Sequence, residues 1–130
     1  MERLEQICEE LDVSPKGKKC KAMEGLIEEV SEVIEEDAES EVKDAALIAA
    51  AQRVEHYEIA GYGCVRTYAK LLGHNSAMKL LQQTLDEEGD TDKTLTKLAE
   101  AINVEAEEPD DEEEPPAKAK KKAKRKVARV

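Results

Sequence analysis

Residues 44–72, DAALIAAAQRVEHYEIAGYGCVRTYAKLL, carry apolar side chains at helical spacing with no proline to interrupt them, which predicts one long helix. Glu55, His56 and Glu58 sit in the middle of this Ala/Ile/Val/Tyr-rich segment. A carboxylate taken out of water is costly unless something pairs it, and inside helical bundles a divalent or ferric ion is a common partner. A second helical pattern over residues 76–102 repeats the anomaly, with Glu87, Glu88, Asp90 and Asp92 set among Leu80, Leu81, Leu85, Leu95 and Leu98.

No window alternates apolar and polar residues between turn residues, so the chain reads as all-α. Its 130 residues allow one small domain. The core material is Ala, Leu, Ile and Val, with no Phe, no Trp and three Tyr, a palette that favours close helix-on-helix packing.

Net charge is −11, but it is unevenly spread: residues 1–104 hold 12 Lys/Arg against 23 Asp/Glu, and the remainder balances eight against eight. An acidic folded portion argues against a broad nucleic-acid surface and suits cation binding. Cys8, Cys20 and Cys64 have no zinc-type spacing, and no secretory signal or membrane-spanning run is evident, so reduced thiols in a cytoplasmic protein are expected. There is no P-loop, no GxGxxG, no nucleophile elbow and no HExxH.

Residues 2–11 predict a short helix with Leu4, Ile7, Cys8 and Leu11 on one face. A Pro- and Gly-containing loop leads to a second amphipathic helix presenting Met23, Leu26, Ile27, Val30, Val33 and Ile34. Gly73 is placed to end the long helix and Ser76 to cap the next, which makes the last two helices an antiparallel hairpin. From residue 105 the periodicity stops. An acidic, Pro-containing run and then a basic one cannot bury enough apolar surface to fold, so residues 105–130 are expected to be a disordered tail behind a domain of residues 1–104.

Positions three and four apart share a helix face. That rule puts Glu55 and Glu58 on the inner stripe of the long helix, and Glu88 and Asp92 on that of the last, with Glu87 and Asp90 more exposed. Counted from His74, Glu58 is 16 residues back and Asp92 18 forward, while Glu55 is 19 back and Glu88 14 forward, so all four fall at similar heights. Glu55-x-x-Glu58 has the spacing of bundle metal ligands with an acid replacing the usual His. His56, one position off, would either turn to the metal or hydrogen-bond to a ligand. The competing reading is a solvated acidic face, or acids paired with Arg53, Arg66 and Lys93.

The segments KGKKCKAMEGLIEEV, DAALIAAAQRVEHYEIAGYG and LLQQTLDEEGDTDKTLTKLAEAIN closely resemble the bacterial ferritin-like stress proteins of the YciE/YciF group, over nearly all of residues 2–103. The resemblance implies a ferritin-like helical bundle, usually dimeric, with carboxylates arranged for a di-iron or di-manganese centre. Glu55, His56 and Glu58 would supply one helix's part, and Glu88 with Asp92 another's. Tyr57 or Tyr62 would be a redox-active neighbour or a packing residue. Family members normally begin with two further long helices, most of which this chain lacks, and Gly89 stands where a longer charged residue is usual. Either the chain is a fragment with an incomplete site, or two copies dock their hairpins as a homodimer to rebuild a four-helix bundle.

Two functions follow as expectations. One is a metal-binding stress protein acting through Glu55, His56, Glu58, Glu88 and Asp92. The other is a non-enzymatic interaction protein whose Lys120, Lys121, Lys122, Lys124, Arg125 and Lys126 attract nucleic acid or another polyanion by counterion release. No membrane partner is expected.

Overall fold

The computed structural model describes residues 1–107, and the side chains of residues 1–104. The expected tail beyond residue 107, including all six basic positions named above, lies outside the described residues. The described residues form four helices in the order α1 (Glu2–Glu10), α2 (Lys21–Glu35), α3 (Ser40–Leu71) and α4 (Asn75–Glu107). Among the described residues there is no strand, and no helix is long and apolar enough to cross a membrane.

The hairpin of α3 and α4 is the backbone of the bundle. Its turn closes in a Schellman arrangement: Gly73 adopts φ +76, the His74 amide donates to the Ala69 carbonyl at 2.9 Å, and the Gly73 amide donates to that of Lys70 at 3.2 Å. Only glycine takes this left-handed backbone without penalty. The same device ends α1, where Asp12 takes φ 53 and the Val13 amide reaches the Cys8 carbonyl at 2.9 Å. Asp is one of the few side chains that tolerate that conformation.

The helix ends differ from the sequence expectation in three places. α3 starts at Ser40, because its first turn holds Glu41, a favourable charge at the positive end of the helix dipole. α4 runs on to Glu107, past the expected end at 102, since Glu105, Ala106 and Glu107 are good helix formers and Pro109 comes only afterwards. Ser76 does not start α4. The helix begins at Asn75, and the Ser76 hydroxyl donates instead to Glu10 Oε1 at 3.0 Å, tying α4 to α1.

α2 lies antiparallel along α3, with Arg53 Nη1 donating to Glu29 at 2.8 Å near its middle and Cys20 Sγ 2.9 Å from the Tyr57 hydroxyl at its start. α1 lies antiparallel to α4, pinned by Arg3 to Glu87 at one end and by Glu10 to Ser76 at the other. At the turn end of the hairpin, Ile7, Ala69, Ala77 and Leu81 form a buried cluster, with Tyr62, Met78 and Leu80 packed against it. Ile48 and Ala50 are buried toward the opposite end of α3. The small alanines at 69 and 77 let the helices approach closely, as a core without Phe or Trp requires. α2 buries no residue fully; of its expected face, Met23, Leu26, Val30 and Val33 are half-buried, whereas Ile27 and Ile34 stay exposed.

Candidate metal centre

Between the two buried regions of the hairpin the facing positions are acidic. Glu55 and Glu58 stand one turn apart on the inner side of α3, and Glu88 faces them from α4. Each offers a carboxylate oxygen, and these oxygens lie within 4.8 Å of one another. All three residues are half-buried. Glu55 Oε2 is sealed from water and has no hydrogen-bond partner, a position that costs free energy unless something positive or protonated meets it.

The electrostatics follow from that crowding. Partial burial, and then the Glu88 charge, push the Glu58 carboxyl above the ordinary range. Burial likewise raises Glu88, followed by its contact with Glu55 and the charge of Glu87. Tyr62, a turn beyond Glu58, has its phenol raised by burial and by the charges of Glu58 and Glu88, an effect that Arg3 partly offsets. Among the described residues, none of the bases expected to pair with these acids does so. Arg53 is committed to Glu29, Lys93 to Asp90 at 2.9 Å, and Arg66 forms no ion pair, its Nε buried without a partner.

Asp92 and His56 form a separate pair one turn farther along. His56 Nε2 is 3.1 Å from Asp92 Oδ1, and Gln52 Nε2 donates to the same oxygen at 3.3 Å and to Thr96 Oγ1 at 3.0 Å. The register explains the separation. Glu88 sits opposite Glu55 and Glu58, so Asp92, one turn on, faces Gln52 and His56 instead of Glu58. Counted from His74, His56 is 18 residues back and Asp92 18 forward, so the two stand level, with Glu58 two residues nearer the turn. The His56 side chain is 68% exposed and its ring contacts a carboxylate from the rim of the site.

Glu87 and Asp90 are exposed, as their helical positions predict. Glu87 nevertheless has a role that spacing does not reveal. Arg3 donates to both of its oxygens, at 2.6 Å each, and to Thr84 Oγ1 at 3.1 Å. Residues more than eighty positions apart carry no local signal of such pairing; the one sequence clue is that Arg3 adjoins the apolar face of α1.

An open groove of about 650 Å³ leads to the carboxylates, walled by Met1 to Leu4 on one side and by Glu58, Tyr62, Thr84, Glu87 and Glu88 on the other. A second, largely apolar groove of about 310 Å³ approaches from the α2 side, lined by Cys20, Met23, Tyr57 and Val65 among others. Leu4, Glu58 and Tyr62 border both. The donor set is hard oxygen, suited to iron, manganese or magnesium and ill suited to soft ions. The orphaned Glu55 oxygen and the raised acids fit a bound cation.

Protein YciF of Escherichia coli (strain K12) is 56% identical over 109 residues, a match that spans 82% of this chain and 66% of YciF. The crystal structure of the E. coli stress protein YciF superposes with a TM-score of 0.76, covering 79% of this chain and 65% of that one. YcfI from Rhodopseudomonas palustris, at 43% identity, superposes with a TM-score of 0.69 over 73% of this chain and 60% of its own. The chain therefore spans slightly less than two thirds of the length of these relatives. The family model described as "Domain of unknown function (DUF892)" matches residues 1–107, and the chain belongs to that family.

Proposed function

We propose that this chain is a metal-binding member of its family, in which Glu55, Glu58 and Glu88 hold an iron or manganese ion through carboxylate oxygens. The observation that carries the reading is the convergence of three half-buried acids within 4.8 Å without a basic partner among the described residues. Burial and neighbouring carboxylates raise the Glu58 and Glu88 carboxyls, and a bound cation would favour their charged, ligating forms.

Asp92 and His56 are the donors for a second ion beside the first. A binuclear iron or manganese pair would supply one-electron exchange with oxygen or peroxide. Three carboxylates on one hairpin are only part of what such ions require, and a second copy of the chain, docked hairpin to hairpin, would complete the shell symmetrically. The exposed Leu4 and Val65 beside the apolar groove support that docking. The description of E. coli YciF as a stress protein agrees with a role in handling metal or oxidant under stress.

Equilibrium dialysis against manganese(II), followed by metal analysis, tests the reading. Wild type is expected to retain manganese, and Glu55→Gln/Glu88→Gln to lose it while keeping its helical circular dichroism. Equal metal in both proteins would remove these residues as ligands. Sedimentation of the loaded wild type tests the pairing of copies, and a monomer would exclude it.

A further inference from the structure

We propose that the Arg3–Glu87 pair is a latch that holds the first turn of α1 across the mouth of the carboxylate centre and sets how fast cations enter and leave it. This rests on the metal-binding reading above and assigns a positioning role to residues outside the ligand set.

Three observations carry it. First, Met1 to Leu4 line the polar groove that opens on Glu58 and Glu88, so movement of the first turn of α1 changes the width of the approach. Second, among the described residues the side-chain hydrogen bonds that join that end of α1 to α4 all come from Arg3, which grips both oxygens of Glu87 and the hydroxyl of Thr84. Thr84 and Glu87 precede Glu88 by four residues and one residue on the same helix, which places the grip beside a ligand without using the ligand itself. Third, Leu4 borders both grooves, so the same turn of α1 separates the polar route from the apolar one.

The pair is suited to opening. The Arg3 and Glu87 side chains remain 36% and 62% exposed, and a bridge reached by water breaks and re-forms readily and weakens with salt. Breaking it leaves the other end of α1 anchored by Ile7 in the buried cluster and by Glu10 on Ser76. The expected motion is a hinge of the first turn with the rest of α1 in place.

The double substitution Arg3→Gln/Glu87→Gln removes the latch without changing net charge. Terbium(III), a hard oxygen-seeking cation, is the probe: the chain has no Trp and three Tyr, and Tyr62 lines the groove, so tyrosine-sensitised terbium emission reports occupancy of this site. Emission abolished by Glu88→Gln and by Tyr62→Phe identifies the site signal. In stopped flow, the double variant is expected to take up and release terbium about two- to five-fold faster than wild type, the effect expected of one exposed bidentate bridge, with affinity little changed. The swapped pair Arg3→Glu/Glu87→Arg is expected to restore the wild-type rates.

Unaltered rates, a change in affinity alone, or a swap that fails to restore them would overturn the latch while leaving the metal site standing. No Glu88-dependent emission at all would overturn both. Hydrogen exchange of the metal-free protein is independent of the ion: faster exchange in α1 of the double variant supports the latch, and identical exchange refutes it.

Discussion

Glu55 on α3 and Glu88 on α4 face each other across the hairpin, and neither has an ion-pair partner among the described residues. Glu88 is pushed above the ordinary carboxylate range by its burial and then by its contact with Glu55, so the stability of the hairpin depends on pH and on any cation bound there.

A carboxyl whose pKa is raised by folding binds its proton more tightly in the native chain than in the unfolded one. Its stabilising contribution is complete below the ordinary carboxylate range and is lost as pH rises through the raised folded values. Glu58 and Glu88 both act in that sense, whereas Glu87, lowered by Arg3, acts in the opposite one. Metal-free Glu88→Gln is therefore expected to melt above wild type at neutral pH, with the gap closing in acid. Thermal melts followed by circular dichroism across that range measure the gap.

Manganese should reverse this ordering. At a free concentration a hundred times its dissociation constant, one bound ion stabilises the native state by about 2.7 kcal/mol. Wild type should gain that stability and Glu55→Gln/Glu88→Gln should not, as differential scanning fluorimetry with and without manganese will show.

Replacing Asp92 by Asn separates the two groups of donors. The triad is left intact, and the pair with His56 loses its charge. Manganese bound per chain is expected to fall by half without vanishing, which equilibrium dialysis measures directly.

Two glycines should respond with opposite signs to Ala. Gly73 needs its positive φ, so Gly73→Ala is expected to cost about 1–2 kcal/mol. Gly89 lies inside α4 with nothing within 4 Å of an added Cβ, so Gly89→Ala is expected to stabilise by about 1 kcal/mol. Urea denaturation of both variants checks the contrast.

In the core, Leu81→Ala should cost about 2–5 kcal/mol, because Leu81 is 5% exposed against alanines that cannot fill the space it leaves. Ile27→Ala, at 56% exposure on α2, should stay within about 0.5 kcal/mol. The same urea series ranks the two.

The helices and the acidic triad were legible because both rest on local rules. The 3.6-residue period put Glu55, Glu58 and Glu88 on inner stripes, and Gly73 announced the turn that brings the stripes together. What sequence left open depends on register and on distant pairing. Asp92 meets His56, which stands level with it counted from His74 but lies off the inner apolar stripe, so periodicity did not single out the pair. The clasp of Arg3 on Glu87 joins residues 84 positions apart, where no periodicity reaches. Ile27 and Ile34 read as inward-facing from α2 alone, but α2 has one neighbour, α3, and a single contact line covers only part of a wide apolar stripe.

The acids occupy the middle of a hairpin whose hydrophobic packing lies toward its two ends. The ends work as fasteners and the middle as a span, so charging or discharging the central oxygens loads that span without unzipping either fastener. An ion seated there would act as a rivet, altering the stiffness of the paired helices far more than their path.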